Sequence, residues 1–320
     1  MADPLPVASV DYPSTYQELL AWFPDDAACA AFLEQLRWKN GFFCPGCGGS
    51  AHWRGADGSL VCRACKRRTS VTAGTIFHRS RLPLTTWFAA IWFVTSQKNG
   101  VPAFGLQQAL GLGSYETAWS MLHKLRRAMV RPGRDLLSGL VEVDETYAGG
   151  VERGVDGRHT DNKAIIVIAV ELVQPKGLGR VRMTPLRQAA QAQLLDFVAR
   201  SVDKGSVVRT DGWNIYNRLG AMGYEHEAIN VKGSGSPAHV VLPGVHQVAS
   251  LVKRWLSGTL HYGISHDHLA YYLDEFTFRF NRRHAAHRGL LFYRLVEQAL
   301  EVGPHPMREL VGGTADPYML

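Results

Sequence analysis

Leu140-Val-Glu-Val-Asp144-Glu-Thr-Tyr-Ala-Gly-Gly150 is an apolar strand pattern running into an acid, and Val207-Val-Arg-Thr-Asp211-Gly-Trp-Asn-Ile-Tyr216 has the same design. Aspartate is a poor strand former, and one at the end of a buried strand needs a reason. The pattern predicts strands over 140–143 and 207–210, each ending at its aspartate. On neighbouring strands the two carboxylates would come close together, where like charges repel and invite hard cations. The alternative is that both acids only cap strand ends. By strand alternation Glu142 shares the face of Asp144 and is an accessory carboxylate candidate outside the catalytic set, while Glu145 points the other way.

Around these two strands the chain alternates in an informative order. Residues 164–172 form a nearly continuous apolar run, expected for a strand buried on both faces. A third strand is predicted over 181–186 and a helix over 189–201. After Asp211 come a further helix and a strand over 226–231. A Gly/Ser/Pro-rich loop (233–244) then leads to long helices over 245–258 and 266–283. Three strands, helix, strand, helix, strand, helix is the order of a ribonuclease-H-like α/β domain. Residues 150–162 and the tail after Gly303 read as loops.

Upstream, Cys44-Pro-Gly-Cys47 and Cys62-Arg-Ala-Cys65 give the spacing C-x2-C-x14-C-x2-C. Each turn can aim two thiolates at one ion, and two turns complete an all-thiolate tetrahedral shell with no open position, so the site reads as structural zinc. Arg54, Arg63, Lys66, Arg67 and Arg68 surround it as a basic rim, and His52 and His78 find no vacancy among the ligands. The module, about 42–78, has little room for a core, so the metal must stabilise it. Before it, Ser14-Thr-Tyr-Gln17 has capping-box form, and a second helix is predicted after Pro24 and closed by Gly41. After it come an apolar helix over 84–97, a Gly-Val-Pro break, and helices over 103–110 and 115–129 about a glycine-containing turn, which is helix-turn-helix spacing. His123, Lys124, Arg126 and Arg127 on the second of these suit phosphate contacts, although basic helix faces are commonly just solvated.

The whole chain agrees with a nucleic-acid partner without proving one. Its 320 residues carry a formal net charge of +7 and are 46% hydrophobic, enough for several domains and inconsistent with wholesale disorder. No run of some 18 uncharged apolar residues and no signal-peptide pattern is present, so a cytoplasmic protein is expected. Four of the five cysteines lie in the two pairs, as suits a reducing compartment; Cys29 stands alone in a helical pattern.

Further stretches carry a resemblance. Trp38-Lys-Asn-Gly41-Phe-Phe-Cys-Pro-Gly-Cys47 and Thr69-Ser-Val-Thr-Ala-Gly-Thr-Ile-Phe77 are similar to the zinc ribbon of bacterial insertion-sequence transposases of the ISXO-like group. Val143-Asp-Glu-Thr-Tyr147 with Gly149-Gly150, and Thr210-Asp-Gly212, resemble the two aspartate motifs of their DDE domain. Leu251-Val-Lys253-Arg-Trp-Leu-Ser-Gly-Thr259 and Tyr272-Leu-Asp-Glu-Phe-Thr-Phe-Arg-Phe-Asn-Arg-Arg283 resemble its C-terminal helices. The likeness runs from about residue 14 to 300.

The resemblance implies that Asp144 and Asp211 are the first two catalytic acids and hold Mg2+ or Mn2+. The third acid is missing: 35 residues after Asp211 and seven before Lys253 stands His246. A neutral histidine can ligate a metal but adds no negative charge. Glu275 is the alternative third group, though it also sits four residues before Arg279, where it can pair. Arg67, Arg68, Lys124, Arg126, Arg127, Lys253 and Arg254 are the expected DNA contacts. The Phe276-Thr-Phe-Arg-Phe-Asn-Arg-Arg run reads as a helix with aromatics inward and Arg279, Arg282 and Arg283 outward. The expected activity is binding of terminal inverted repeats followed by metal-dependent DNA strand cleavage and transfer. It would be performed by a homo-oligomer on double-stranded DNA, near the nucleoid, with no membrane or small-molecule substrate. The alternative is a relic that binds DNA, perhaps as a repressor, without cutting it. The expected domains are a helical segment (1–41), zinc ribbon (42–80), helix-turn-helix-like region (81–135), catalytic domain (138–302) and tail (303–320).

Overall fold

A computed structural model describes residues 6–7, 10–131, 133–148, 164–173, 175, 177–230, 238–260 and 265–312. In chain order the elements are α1 (Tyr16–Trp22), α2 (Asp26–Arg37), β1 (His52–Arg54), β2 (Leu60–Cys62), β3 (Arg68–Thr69), α3 (Leu84–Ser96), α4 (Ala103–Leu110), α5 (Tyr115–Ala128), β4 (Leu140–Ala148), β5 (Ala164–Leu172), β6 (Leu178–Leu186), α6 (Gln191–Ser201), β7 (Val207–Thr210), β8 (Glu225–Ala228), α7 (Ala238–Val241), α8 (Pro243–Leu260), α9 (His266–Asn281), α10 (Arg288–Glu301) and α11 (Met307–Val311). The chain divides into two compact units, one of residues 1–131 with 284–319, the other of residues 132–283.

In the first unit short polar side chains set the helix starts. Thr15 accepts from the Glu18 N–H, and the Ser14 N–H donates to the Glu18 carboxylate, so the capping box is Thr15 to Glu18, one residue later than expected. Asp25 caps α2 through the Ala28 N–H at 2.8 Å. Gly111 ends α4 in the left-handed region (φ +61°), and Ser114 opens α5 by accepting from the Thr117 N–H. The anticipated limits of these two helices are reproduced to within one residue. The apolar core is aromatic: Phe292 of α10 lies 5.6 Å, ring to ring, from Phe88 of α3 and 6.1 Å from Phe23. That packing draws α10 into this unit, whereas the sequence led the catalytic domain on to residue 302. The segment after Gly303, expected as loop, includes α11.

The second unit holds a five-stranded sheet in the order β6-β5-β4-β7-β8. β4, β5 and β6 form an antiparallel meander, while β7 runs parallel to β4 and β8 parallel to β7. Ala164–Val170 of β5 is buried throughout because the sheet is covered on both faces. Ile166, Ile168 and Val170 face α8 and α9, while Val167 and Ala169 face α6 and Tyr216. Each of the larger of these buried side chains is worth about 1.5–3 kcal/mol.

β4 continues four residues beyond Asp144, which pairs with Ile168 in mid-strand. Asp144 therefore does not end its strand as expected; what ends near it is the parallel ladder to β7, last paired at Glu142 and Arg209. The helix expected between β7 and β8 is two single 3-10 turns, Asn214–Tyr216 and Gly220–Met222. The expected 233–244 loop gives way to α7 and the start of α8 where it is described; residues 150–162 and 231–237 lie outside the described residues.

The aromatic–arginine run at the end of α9 covers the free edge of β6. Asn281 accepts from the Val181 N–H at 2.8 Å and donates to the Val181 carbonyl at 3.1 Å, taking the place of a neighbouring strand. Arg283 donates to the carbonyls of Gly179 and Leu178. Phe276, Phe278 and Phe280 are buried as expected, but Arg279 does not face outward: it pairs with buried Glu275 at 2.9 Å.

Candidate functional site

The two halves of the ribbon site are built alike. The Gly48 N–H donates to the Cys44 carbonyl and the Lys66 N–H to the Cys62 carbonyl. Gly48 and Lys66, each directly after its second cysteine, both adopt positive φ (+75° and +61°). These two tight turns, with the β1–β2–β3 antiparallel sheet behind them, bring the ligand sulfurs of Cys44, Cys47, Cys62 and Cys65 within 4.8 Å of one another. Cys44 and Cys65 sulfurs are 3.5 Å apart, and those of Cys47 and Cys62 are 3.6 Å apart. Zinc–sulfur bonds of about 2.3 Å in a tetrahedron set sulfurs about 3.8 Å apart, so the four residues fit zinc. The Gly46 N–H leads the interactions that draw the Cys44 thiol down to about 6, favouring the thiolate that binds metal. Cys29 is different: burial pushes its thiol up to about 12, as suits a core residue.

His52 and His78 stay outside this group, as expected: His52 packs on Phe42 and His78 meets the Gly74 N–H. Of the basic rim, Arg54 pairs with Glu34 and Arg68 with Asp57. Arg63, Lys66 and Arg67 are exposed with no ion pair among the described residues, and Lys66 lies over the half-exposed Trp53 ring at 5.2 Å. On α5 the expected DNA contacts divide. Lys124 and Arg127 are partly exposed, but Arg126 is 2% exposed and His123 fully buried, so neither presents a group to phosphate.

The acid site is assembled from three elements of the α/β unit. The β4–β7 register pairs Leu140 with Val207, Val141 with Val208 and Glu142 with Arg209. Extended by two residues, that register would set Asp211 level with Asp144, one strand spacing of about 4.8 Å away. Asp211 sits where the chain leaves the sheet: its carboxylate accepts from the Trp213 N–H at 3.0 Å. Gly212 then takes φ +78°, and a Cβ there would come 3.0 Å from the Ile229 carbonyl, so the turn requires glycine. From α8, His246 brings Nε2 to 3.5 Å from Asp144 Oδ2, with both side chains partly exposed.

The three residues do not yet form a closed ligand set. Among the described residues only the four cysteines form a group of three or more donors within 4.8 Å. Glu275 is held elsewhere, its Oε1 paired with Arg279 on a helix packed against β6, two strands from β4. Lys253 and Arg254 are exposed on α8, Lys253 two turns beyond His246.

Two contacts beside the aspartates, made by Glu145 and Glu142, escaped sequence reading, although strand alternation placed both acids on their faces. Glu145, on the far face of β4, accepts a hydrogen bond from the Tyr216 hydroxyl. Tyr216 is fully buried and its hydroxyl is pushed well above the usual phenol range, first by burial and then by Glu145, Asp144 and Asp211. It ties the turn after Asp211 to the strand bearing Asp144. The second is that of Glu142, which is wholly buried and bonded to the start of α8. Strand alternation had set it on the Asp144 face, but nothing in the sequence revealed its partner.

Comparison with known proteins finds two domain matches in this chain. Residues 136–281 match the ISXO2-like transposase domain, and residues 24–68 match the transposase zinc-ribbon domain. Together they span more than half of the chain. A protein described as uncharacterized in transposable element ISH50 of Halobacterium salinarum is 28% identical over 279 residues, covering 80% of this chain and 91% of that protein. No helix among the described residues is long and apolar enough to cross a membrane.

Proposed function

Because this chain belongs to the ISXO2-like insertion-sequence transposases, we propose that it binds the terminal inverted repeats of its element and cuts and joins DNA at a metal site formed by Asp144, Asp211 and His246. The supporting observation is the convergence of β4, β7 and α8: the β4–β7 ladder runs to Glu142 and Arg209, two residues before the aspartates, and His246 meets Asp144 at 3.5 Å. The strand order and direction also support a ribonuclease-H-like domain.

Asp144 and Asp211 supply the negative charge that holds Mg2+ or Mn2+, and His246 adds a ring nitrogen without further charge. A divalent cation bound there would activate the attacking water or 3′-hydroxyl and stabilise charge on the leaving oxygen of a phosphodiester. Arg67 and Arg68 of the ribbon, Lys124 and Arg127 of α5, and Lys253 and Arg254 of α8 are assigned to phosphate contacts; Arg126 is withdrawn from that set by its burial. The protein acts in the cytoplasm as a homo-oligomer on double-stranded DNA, since two ends must be handled together, and the ribbon zinc is structural.

The histidine in the third position favours one rival, a relic that binds ends without cutting them. A precleaved element-end duplex incubated with plasmid and Mn2+ separates the two. Joined product, retained or increased in His246→Glu, is expected of the enzyme. End binding with no joined or nicked product, in wild type and His246→Glu alike, would establish the relic.

A further inference from the structure

We propose that Glu142 is a positioning residue for the acid site, fixing the first turn of α8 so that His246 stands against Asp144; this deepens, and rests on, the metal-site reading above. Glu142 is fully buried, which is rare for a glutamate and costly unless its oxygens are bonded. Its partner is a free donor at the start of α8. The helix opens with Pro243, which has no N–H, and the first bond of its own ladder runs from the His246 N–H to the Leu242 carbonyl. Only the N–H groups of Gly244 and Val245 are left over. The carboxylate takes the second of these: Oε2 accepts from the Val245 N–H at 2.9 Å, with Gly244 packed directly against it. A strand residue thus caps the helix, with its carboxyl at the positive end of the helix dipole.

The packing at this junction leaves little slack. A Cβ on Gly244 would lie 2.6 Å from Leu172 Cδ2, 2.9 Å from Glu142 Oε2 and 3.1 Å from Val170 Cγ1. The helix start therefore rests directly on the sheet. Glu142 and Asp144 share one face of β4, and their partners, Val245 and His246, are consecutive in α8. The first contact sets the helix and the second is the site itself. Glu142 Oε1 remains buried without a hydrogen-bond partner among the described residues. An apolar side chain would avoid that penalty, so the acid is explained by the helix-start N–H it holds.

The test uses full-length, zinc-loaded, untagged protein with Mn2+ as the probe, reading affinity by electron paramagnetic resonance and imidazole ligation by the nitrogen-14 modulation of the bound ion. Wild type should bind Mn2+ with nitrogen coupling that disappears in His246→Ala. Glu142→Leu should bind about 10- to 100-fold more weakly and lose the coupling at saturating Mn2+. Glu142→Gln, which keeps an acceptor oxygen, should retain both. If Glu142→Leu does not fold, Val245→Pro removes one donor from the helix side, where a first-turn proline is tolerated, and should weaken binding several-fold. A folded Glu142→Leu, or failing that Val245→Pro, with wild-type affinity and coupling would overturn the proposal. Mn2+ bound without nitrogen coupling but lost in Asp211→Ala would also overturn it, leaving the two-aspartate site intact. Binding equal in wild type and Asp211→Ala would overturn the metal-site reading itself.

Discussion

The zinc ribbon takes four ligands from two turns only a short stretch apart in the chain and rests on a small core of Phe42, Cys44, Leu60 and Cys62 with Trp38 beside it. The acid site takes Asp144, Asp211 and His246 from two strands and a helix, behind which lie two extensive apolar layers. In the ribbon the proposed zinc would stand in for a core; in the α/β unit the core holds the residues proposed to bind the catalytic metal. The first site should therefore fall with its ion, and the second should survive without one.

Stripping zinc with a chelator is the strongest way to break that contrast. Structural zinc in such modules contributes an apparent folding free energy of about 10–16 kcal/mol. Amide exchange should show β1, β2 and β3 losing protection while β4 and β5 keep theirs. Protection retained in the stripped ribbon would contradict the contrast.

Gly212→Ala probes the other side. It forces an L side chain to φ +78° against the Ile229 carbonyl and should cost the α/β unit about 1–3 kcal/mol. Denaturant midpoints should fall while zinc content stays at one per chain.

A smaller effect is expected from pH. Burial alone would raise the Glu171 carboxyl, but hydrogen bonds from the Arg180 side chain and the Arg180 and Ser138 N–H groups outweigh it and hold the group below its ordinary 4.5. A depressed carboxyl stabilises above the unfolded value, and that contribution is lost as pH falls through the lower folded value. Glu171→Gln should thus flatten the acid-side loss of stability below about pH 4.5, by about 1 kcal/mol after solvent screening. An unchanged acid limb would remove this pair from the account.

Smallest of all is Lys66→Gly, which relieves the positive φ of the second knuckle but loses the contact with Trp53. A net gain of about 0.5 kcal/mol in ribbon stability is expected in chelator competition; a loss would mean the ring contact dominates.

The same contrast governs what could be read in the sequence. The cysteine spacing, the α4 and α5 limits and the full length of β5 were legible because each is fixed by neighbouring residues. Asp211 at the end of β7 was legible for the same reason. Asp144 was found, but as a strand end, because the continuation of β4 depends on pairing with β5 rather than on its own apolar pattern. Arg126 was assigned to DNA because charge on a helix does not tell which face is buried. The place of α10 was lost because the aromatic partners of Phe292, namely Phe23, Phe88 and Trp92, lie far upstream in the chain, before the whole α/β unit. Glu142 illustrates the limit most sharply, since its role exists only once the first turn of α8 has reached β4.

The central claim is that aspartates on two adjacent strands, with a histidine in the third position, suffice for metal-dependent DNA cleavage. The direct test is nicking of a labelled element-end duplex in Mg2+, comparing wild type with Asp211→Ala. Nicking at the element end by wild type, reduced about a thousandfold or more in the variant, is the predicted result. End binding without nicking by wild type, in Mg2+ and in Mn2+, would contradict it.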